Sequence, residues 1–234
     1  MRKAKQLEME FRTWGGRRKG AGRKPVGRKA GIAHRRRAPL SSHHPVHITL
    51  RLDRAYRNLR TKQRFKVIRQ AFAGAQREGY RITDWSVQRD HIHLIAEAKD
   101  AGHLSRGMRG FAIRVAKGLN KLSGRKGSVF PDRYHTHVLK TPREVRNALC
   151  YVLNNGRKHG VWGPTTKPDV YTSAMWFEGW FDGWREKRLV ESTRAENEEG
   201  EGPRPTALPH TWLRKVGWRR HSLIRIAEVP GCRA

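Results

Sequence analysis

A predicted β-hairpin in the middle of the chain carries two histidines on one face. Segments 80–88 and 91–98 both have the pattern of strands, and because only two residues connect them we expect a tight antiparallel pair. Side chains alternate across a strand, which places His91 and His93 on the same face and Ile92 on the other. Two neighbouring imidazoles on a rigid strand supply half of a divalent-metal site. The alternative is a structural strand whose histidines are packed or hydrated.

The order of the predicted elements around this hairpin indicates an α+β domain. The patterns also predict a strand over 46–52, helices over 55–78, 104–122 and 141–158, and a strand over 129–140. The last helix has a clear start, because Thr141 can cap it, Pro142 suits the first helical position and Glu144 completes a capping box. This β-α-β-β-α-β-α order fits a four-stranded antiparallel sheet with helices packed on one face.

The charge of the chain indicates a polyanionic partner. Its 234 residues include 51 Lys and Arg against 20 Asp and Glu, a formal charge of +31. Nucleic acid is the simplest such partner, although an anionic membrane would also attract the chain. No stretch has the apolar length of a membrane span or of a signal peptide, and the two cysteines form no disulfide framework or zinc motif. We expect a cytoplasmic, nucleoid-associated protein that binds nucleic acid and no membrane.

A basic arm precedes the predicted domain, which spans 45–162. Residues 1–44 are rich in Gly and Arg and are expected to be disordered in isolation. A Gly-Arg-Lys-Pro stretch in this arm resembles the AT-hook, which lies in the minor groove of A·T-rich DNA. The alternative is an arm that binds any phosphate backbone. The candidate DNA contacts in the arm are Arg17, Arg18, Arg23 and Lys24.

Three segments of different composition follow the predicted domain. They are an aromatic-rich extension over 163–190, an acidic linker over 191–205 and a short basic and apolar tail over 206–234. Aromatic side chains in the extension, among them Trp180 and Phe181, can pack as a coat on the sheet domain or stack on unpaired bases. Core packing is the commoner use of such residues.

Cationic side chains cover one face of the predicted helix over 104–122, and two further arginines lie near the predicted site. A face that is almost entirely cationic favours contact with phosphates, whereas the alternative is a solvated surface. The candidate phosphate contacts are Arg106, Arg109, Arg114 and Lys117 on that helix, together with Arg133 and Arg157 elsewhere in the domain.

The helix predicted over 141–158 carries a tyrosine and an asparagine on one face. Tyr151 and Asn155 are four residues apart and are therefore neighbours on the helix surface. A phenol oxygen can attack a phosphodiester, and an amide oxygen is a hard neutral ligand that can complete a metal site begun by two histidines. Alternatively, the tyrosine is an ordinary core or surface residue. A second His-x-His pair, His135 and His137, favours a structural or DNA-contacting role.

Taken in order, these motifs resemble the HUH-superfamily single-tyrosine transposases, and among them most closely the REP-associated tyrosine transposases. The resemblance covers about half of the chain and rests on the segments 45–52, 89–97, 130–144 and 150–160. It implies a ferredoxin-like sheet with the histidines on a central strand and the tyrosine helix beside it.

The resemblance also implies a site and a reaction. His91, His93 and Asn155 would hold Mg²⁺ or Mn²⁺, and Tyr151 would be the nucleophile. Attack on single-stranded DNA held in a hairpin would give a 5′-phosphotyrosyl link and a free 3′-hydroxyl, which allows cleavage and rejoining without ATP. The protein would act as a monomer or a homodimer.

Two other functions fit the sequence. The first is a catalytically inactive basic protein of the same fold that binds hairpin DNA. The second is an RNA-processing or ribosome-associated protein, which suits the charge but leaves His91, His93 and Tyr151 without a role.

Overall fold

In the computed structural model, four strands form one antiparallel sheet. These are β1 (Val46–Arg51), β2 (Tyr80–Val87), β3 (His91–Ala98) and β4 (His135–Val138). The spatial order is β2-β3-β1-β4, and every pairing is antiparallel. With a helix between the first and second strands and another between the third and fourth, this is a ferredoxin-like arrangement. The predicted α+β fold is confirmed, and β3, which carries the two histidines, is an inner strand.

The structure describes residues 38–56, 58–160, 167–183 and 204–231. The predicted DNA contacts in the basic arm, Arg17, Arg18, Arg23 and Lys24, lie outside this range. So does nearly all of the predicted acidic linker. The boundaries proposed for the arm, the extension, the linker and the tail therefore stay predictions.

Within the described residues, three long helices and one short one accompany the sheet. They are α1 (Lys62–Gly74), α2 (Ala101–Ser123), α3 (Pro142–Lys158) and α4 (Trp212–Lys215), with 3-10 turns at Arg54–Tyr56, Ser173–Trp176 and Gly217–His221. The capping box at the start of α3 is present as predicted, since Thr141 accepts from the Glu144 amide and the Glu144 carboxylate accepts from the Thr141 amide. None of the described helices is long and apolar enough to cross a membrane.

Two element boundaries differ from the sequence prediction. The helix expected from residue 55 begins at Lys62, because Thr61 has extended backbone and its side chain accepts a hydrogen bond from the Arg64 amide. The strand expected over 129–140 is reduced to β4, an edge strand whose side chains are largely exposed. Pro131, which has no amide proton to donate to a strand ladder, lies in the part that is not a strand.

The helices occupy both faces of the sheet, which corrects the prediction that they pack on one face. Helices α1 and α2 share a core with Ile92 and Leu94 of β3, whereas α3 shares a second core with Ile95. Successive side chains of a strand point to opposite faces, so α3 lies on the face that carries His91 and His93. The physical reason is that β3 is buried on both faces beyond its first residue, and each apolar face requires a covering layer.

The C-terminal part of the chain completes the layer around α3. Phe177, Trp180 and Trp218 are buried in the same core as α3. The Arg214 guanidinium forms a buried ion pair with the Asp84 carboxylate of β2, at 2.7 Å for Nε and 2.6 Å for Nη2. These contacts attach the chain beyond residue 204 to the strand beside β3.

Candidate functional site

Tyr151 lies against the histidine pair of β3. Its ring centroid is 5.0 Å from that of His93, and the rings of His93 and His91 are 4.7 Å apart. The sequence alone cannot place the tyrosine helix over this face of the sheet, because that requires two segments sixty residues apart to meet. The structure therefore brings together the predicted nucleophile and both predicted histidine ligands.

Asn155 belongs to a stripe of side chains on α3 that follows the histidine pair. Residues four apart lie above one another on a helix, so Tyr151, Asn155 and His159 share one face. Tyr151 contacts His93, and the ring of His159 is 5.8 Å from the ring of His91. Asn155 is fully buried and lies between them in the stripe. Tyr151 and the two histidines thus meet between β3 and α3, and Asn155 is on the same helical face as Tyr151.

Both imidazoles of β3 are oriented by a hydrogen bond at Nδ1. His93 Nδ1 is 3.1 Å from the Thr49 hydroxyl on β1, and His91 Nδ1 is 2.7 Å from the Asp90 carboxylate. When each Nδ1–H donates to its oxygen, the lone pair of each ring remains on Nε2. Metal-ligating histidines are held in this way in proteins, with the second nitrogen anchored to an oxygen.

Burial keeps two of the imidazoles neutral. It lowers the pKa of His93 to about 2, with further contributions from the charges of His91, His47 and His159. Burial and the charge of His137 lower the pKa of His47 to about 4. A neutral imidazole is the form that can bind a cation, so at ordinary pH the ring of His93 is available as a ligand.

The polar atoms without partners fit a divalent cation. His93 Nε2 is buried without a hydrogen bond, and so are the side-chain oxygen and nitrogen of Asn155. Buried polar groups are nearly always paired, and a cation that binds the nitrogen and the amide oxygen would account for two of these atoms. In the described part of the chain, no three His, Cys, Asp or Glu side chains converge as a metal cluster. The Asn155 oxygen is the predicted third protein ligand, beside His91 and His93.

His47 of β1 is a further member of this cluster and was not among the predicted site residues. Its ring stacks on that of His93 at 5.3 Å and meets the Tyr151 ring edge-on at 5.7 Å. The alternation of β1 puts His47 and Thr49 on one face, but only the register with β3 shows that this is the site face. On β4, His137 pairs with His47 and is exposed.

Tyr151 and His47 also line a large open cavity. The cavity has a volume of about 1290 Å³ and lies between α3 and the segment 221–231. Lys158 lines it as well, and its ammonium is 5.2 Å from the centroid of the Tyr151 ring. The cavity gives a large substrate access to the tyrosine.

The predicted phosphate contacts are divided between the two layers of the molecule. Arg106, Arg109, Arg114 and Lys117 are exposed on α2, which packs on the sheet face opposite Tyr151. Arg133 is exposed in the loop before β4, and Arg157 is half-buried on α3. Burial lowers the pKa of Arg157, although the Asp169 charge opposes this shift. DNA contact by these six residues stays a prediction, and the four on α2 are not part of the tyrosine site.

No family model and no curated protein matches the sequence. Among solved structures, a REP-associated tyrosine transposase bound to a REP hairpin is similar to this chain, with a TM-score of 0.47 and 16% sequence identity. The similarity covers 77% of this chain and 100% of the other. Likeness at this level does not carry an activity from one protein to the other.

Proposed function

We propose that this protein is a metal-dependent single-stranded DNA transesterase of the HUH single-tyrosine type. It would cleave and rejoin DNA beside a hairpin through a 5′-phosphotyrosine intermediate. The observation that carries the proposal is the position of Tyr151, in ring contact with His93 and on the same helical face as the buried, unpaired amide of Asn155. A purely structural tyrosine does not explain why that amide and His93 Nε2 are buried without partners.

The residues of the site have separate tasks in this reaction. His91, His93 and Asn155 would hold Mg²⁺ or Mn²⁺, and the bound ion would supply Lewis-acid activation of the scissile phosphate. The Tyr151 oxygen attacks phosphorus, a bond from phosphorus to the phenol oxygen forms, and the bond to the 3′-oxygen breaks. The phenol proton is lost and the departing oxygen gains a proton, leaving a 3′-hydroxyl. Attack by a 3′-hydroxyl on the tyrosyl ester reverses these changes and rejoins the strand.

Lys158 supports the same chemistry by charge. Its ammonium lies over the Tyr151 ring, where its positive charge would attract the scissile phosphate to the phenol oxygen. The formal charge of +31 favours DNA over an uncharged substrate. The cavity beside Tyr151 is large enough for more than a single small molecule, since typical small-molecule pockets measure about 300 to 1,000 Å³.

The test is a covalent adduct between protein and DNA. A pool of DNA hairpins with randomised single-stranded arms and a 3′ fluorescent label is incubated with the protein and Mn²⁺, then separated under denaturing conditions. A 5′-phosphotyrosine leaves the labelled 3′ fragment on the protein, so a labelled protein band is expected. The band should be lost in EDTA and in Tyr151→Phe.

Tyr171→Phe is the matched control, because Tyr171 packs against Phe65 in the α1–α2 layer. This variant should form the adduct as the unmodified protein does. An adduct that persists in Tyr151→Phe would contradict the proposed nucleophile. Tight binding of the hairpins with no adduct at all would favour the inactive DNA-binding protein instead.

A further inference from the structure

We propose that Phe181 and Arg225 form a stacking platform for an unpaired base of the DNA strand that enters the cavity beside Tyr151. The identity of the strand rests on the proposed function, and the platform adds a residue-level account of how the protein holds it. Arg225 was not a candidate DNA contact from the sequence, and Phe181 was one of several aromatic residues for which core packing was favoured over stacking on unpaired bases.

Phe181 is exposed and is covered on one face by an arginine. Its side chain is 57% exposed, whereas Phe177 and Trp180 before it are buried. The Arg225 guanidinium lies 4.5 Å from the centroid of the Phe181 ring. Bases stack both on aromatic rings and on guanidinium planes, and the positive charge also suits a nearby phosphate.

The platform is fixed in place by backbone pairing. The Phe181 amide donates to the Ile224 carbonyl at 2.9 Å, and the Ile224 amide donates to the Gly179 carbonyl at 3.1 Å. The Ile226 amide donates to the Asp182 carboxylate at 3.0 Å. These bonds join the two segments that carry Phe181 and Arg225. An isolated exposed phenylalanine would have no such support.

The same segment is attached to the helix that carries the proposed nucleophile. The Asn154 side-chain amide donates to the carbonyls of Arg225 and Glu228, at 3.0 Å and 2.9 Å. Arg146 of α3 forms an ion pair with the Glu228 carboxylate. The platform and Tyr151 are therefore parts of one rigid wall, and both line the same cavity.

Charge around the cavity favours a nucleic-acid strand over a peptide or a lipid. Arg143 and Lys158 are exposed and line the cavity, and neither forms an ion pair with an acidic residue in the described part of the chain. Of the acidic residues that line it, Glu228 is paired with Arg146 and Glu144 accepts from the cap of α3. A strand of alternating phosphates and bases matches this combination of free cations and one flat aromatic surface.

The experiment measures binding of single-stranded DNA without catalysis. Fluorescein-labelled dT20 is titrated with full-length protein that carries Tyr151→Phe, so that no covalent product accumulates. Adding Phe181→Ala should weaken binding roughly 10-fold, the loss expected when one base loses its aromatic partner. Phe181→Trp should bind at least as well as phenylalanine. A blunt hairpin without arms should be affected less than dT20.

Leu208→Ala is the matched control, because Leu208 is 61% exposed, does not line this cavity and loses a similar apolar surface. It should leave the affinity for dT20 unchanged. The platform is refuted if Phe181→Ala, folded with an unchanged thermal midpoint, binds dT20 as tightly as Leu208→Ala does. Because the binding assay needs no cleavage, it tests the platform separately from the transesterase. If Phe181→Ala weakens binding of dT20 but the adduct assay gives no labelled protein, only the transesterase is refuted. If the adduct forms but Phe181→Ala binds dT20 with unaltered affinity, only the platform is refuted.

Discussion

Replacing Asn155 by leucine should stabilise the metal-free protein and abolish its stabilisation by metal. Both polar atoms of the Asn155 side chain are buried without a partner, and the residue is fully buried. A buried polar group without a hydrogen bond costs about 1 to 3 kcal/mol. Leucine has a similar size and no polar atom, so Asn155→Leu should raise the free energy of unfolding by a comparable amount in EDTA.

The expected change in midpoint follows from the size of the protein. For a domain of 150 to 250 residues, 1 kcal/mol shifts the thermal midpoint by about 2 to 4 °C. In EDTA, Asn155→Leu should therefore unfold about 2 to 12 °C above the unmodified protein. Mn²⁺ at a hundred times its dissociation constant should stabilise the unmodified protein by about 2.7 kcal/mol, and this gain should be absent in the variant. Differential scanning calorimetry with EDTA or Mn²⁺ measures both effects.

Asn154→Leu is the matched control on the neighbouring residue. Asn154 donates two hydrogen bonds, to the carbonyls of Arg225 and Glu228, so its loss should lower the midpoint in EDTA while the shift caused by Mn²⁺ remains. The reasoning fails if Asn155→Leu lowers the midpoint in EDTA as Asn154→Leu does. It fails equally if the full Mn²⁺ shift survives in Asn155→Leu.

Three further outcomes are expected. Burial lowers the pKa of His47 in the folded protein to about 4, whereas this residue takes up its proton at about pH 6.5 in the unfolded chain. The free energy of unfolding of the metal-free protein should therefore fall as the pH drops from 6.5 to 4, and it should fall less steeply in His47→Asn. Equal slopes for the two proteins in urea titrations would count against this. Arg214→Met leaves the Asp84 carboxylate buried and unpaired, and should lower the free energy of unfolding by about 3 to 5 kcal/mol, with recovery when Asp84→Leu is added. Replacing both Arg109 and Lys117 by alanine should weaken the binding of hairpin DNA and reduce the salt dependence of that binding. The rate of adduct formation at saturating DNA should stay unchanged, because α2 lies in the layer opposite Tyr151. A slower rate at saturating DNA would place α2 in the reaction.

The sequence was sufficient for the parts of the fold that depend on local signals. The bounds of β3 follow from its apolar run after a two-residue turn, and the start of α3 follows from the capping box of Thr141 and Glu144. The start of α1 was wrong because apolar residues continue at helical spacing on both sides of Thr61, which is in fact its cap. Helical spacing alone does not reveal where a helix begins.

The candidate site needed contacts between distant parts of the chain. The pairing of Tyr151 with Asn155 is visible in the sequence because four residues make one helical turn. The stacking of His47 on His93 depends on the register between β1 and β3, and the wall of the cavity comes from residues 221–231. Neither the strand register nor the docking of a C-terminal segment has a local signal, so neither could be predicted.

The buried ion pair between Asp84 and Arg214 sets an order in which a newly made chain can mature. Asp84 leaves the ribosome early, on a strand beside the histidine pair, and its carboxylate stays uncompensated until Arg214 has been synthesised. A polypeptide that ends before this arginine keeps an unpaired charge in the sheet, on the strand next to the one that carries His91 and His93, and should therefore be less stable than a chain that contains the arginine.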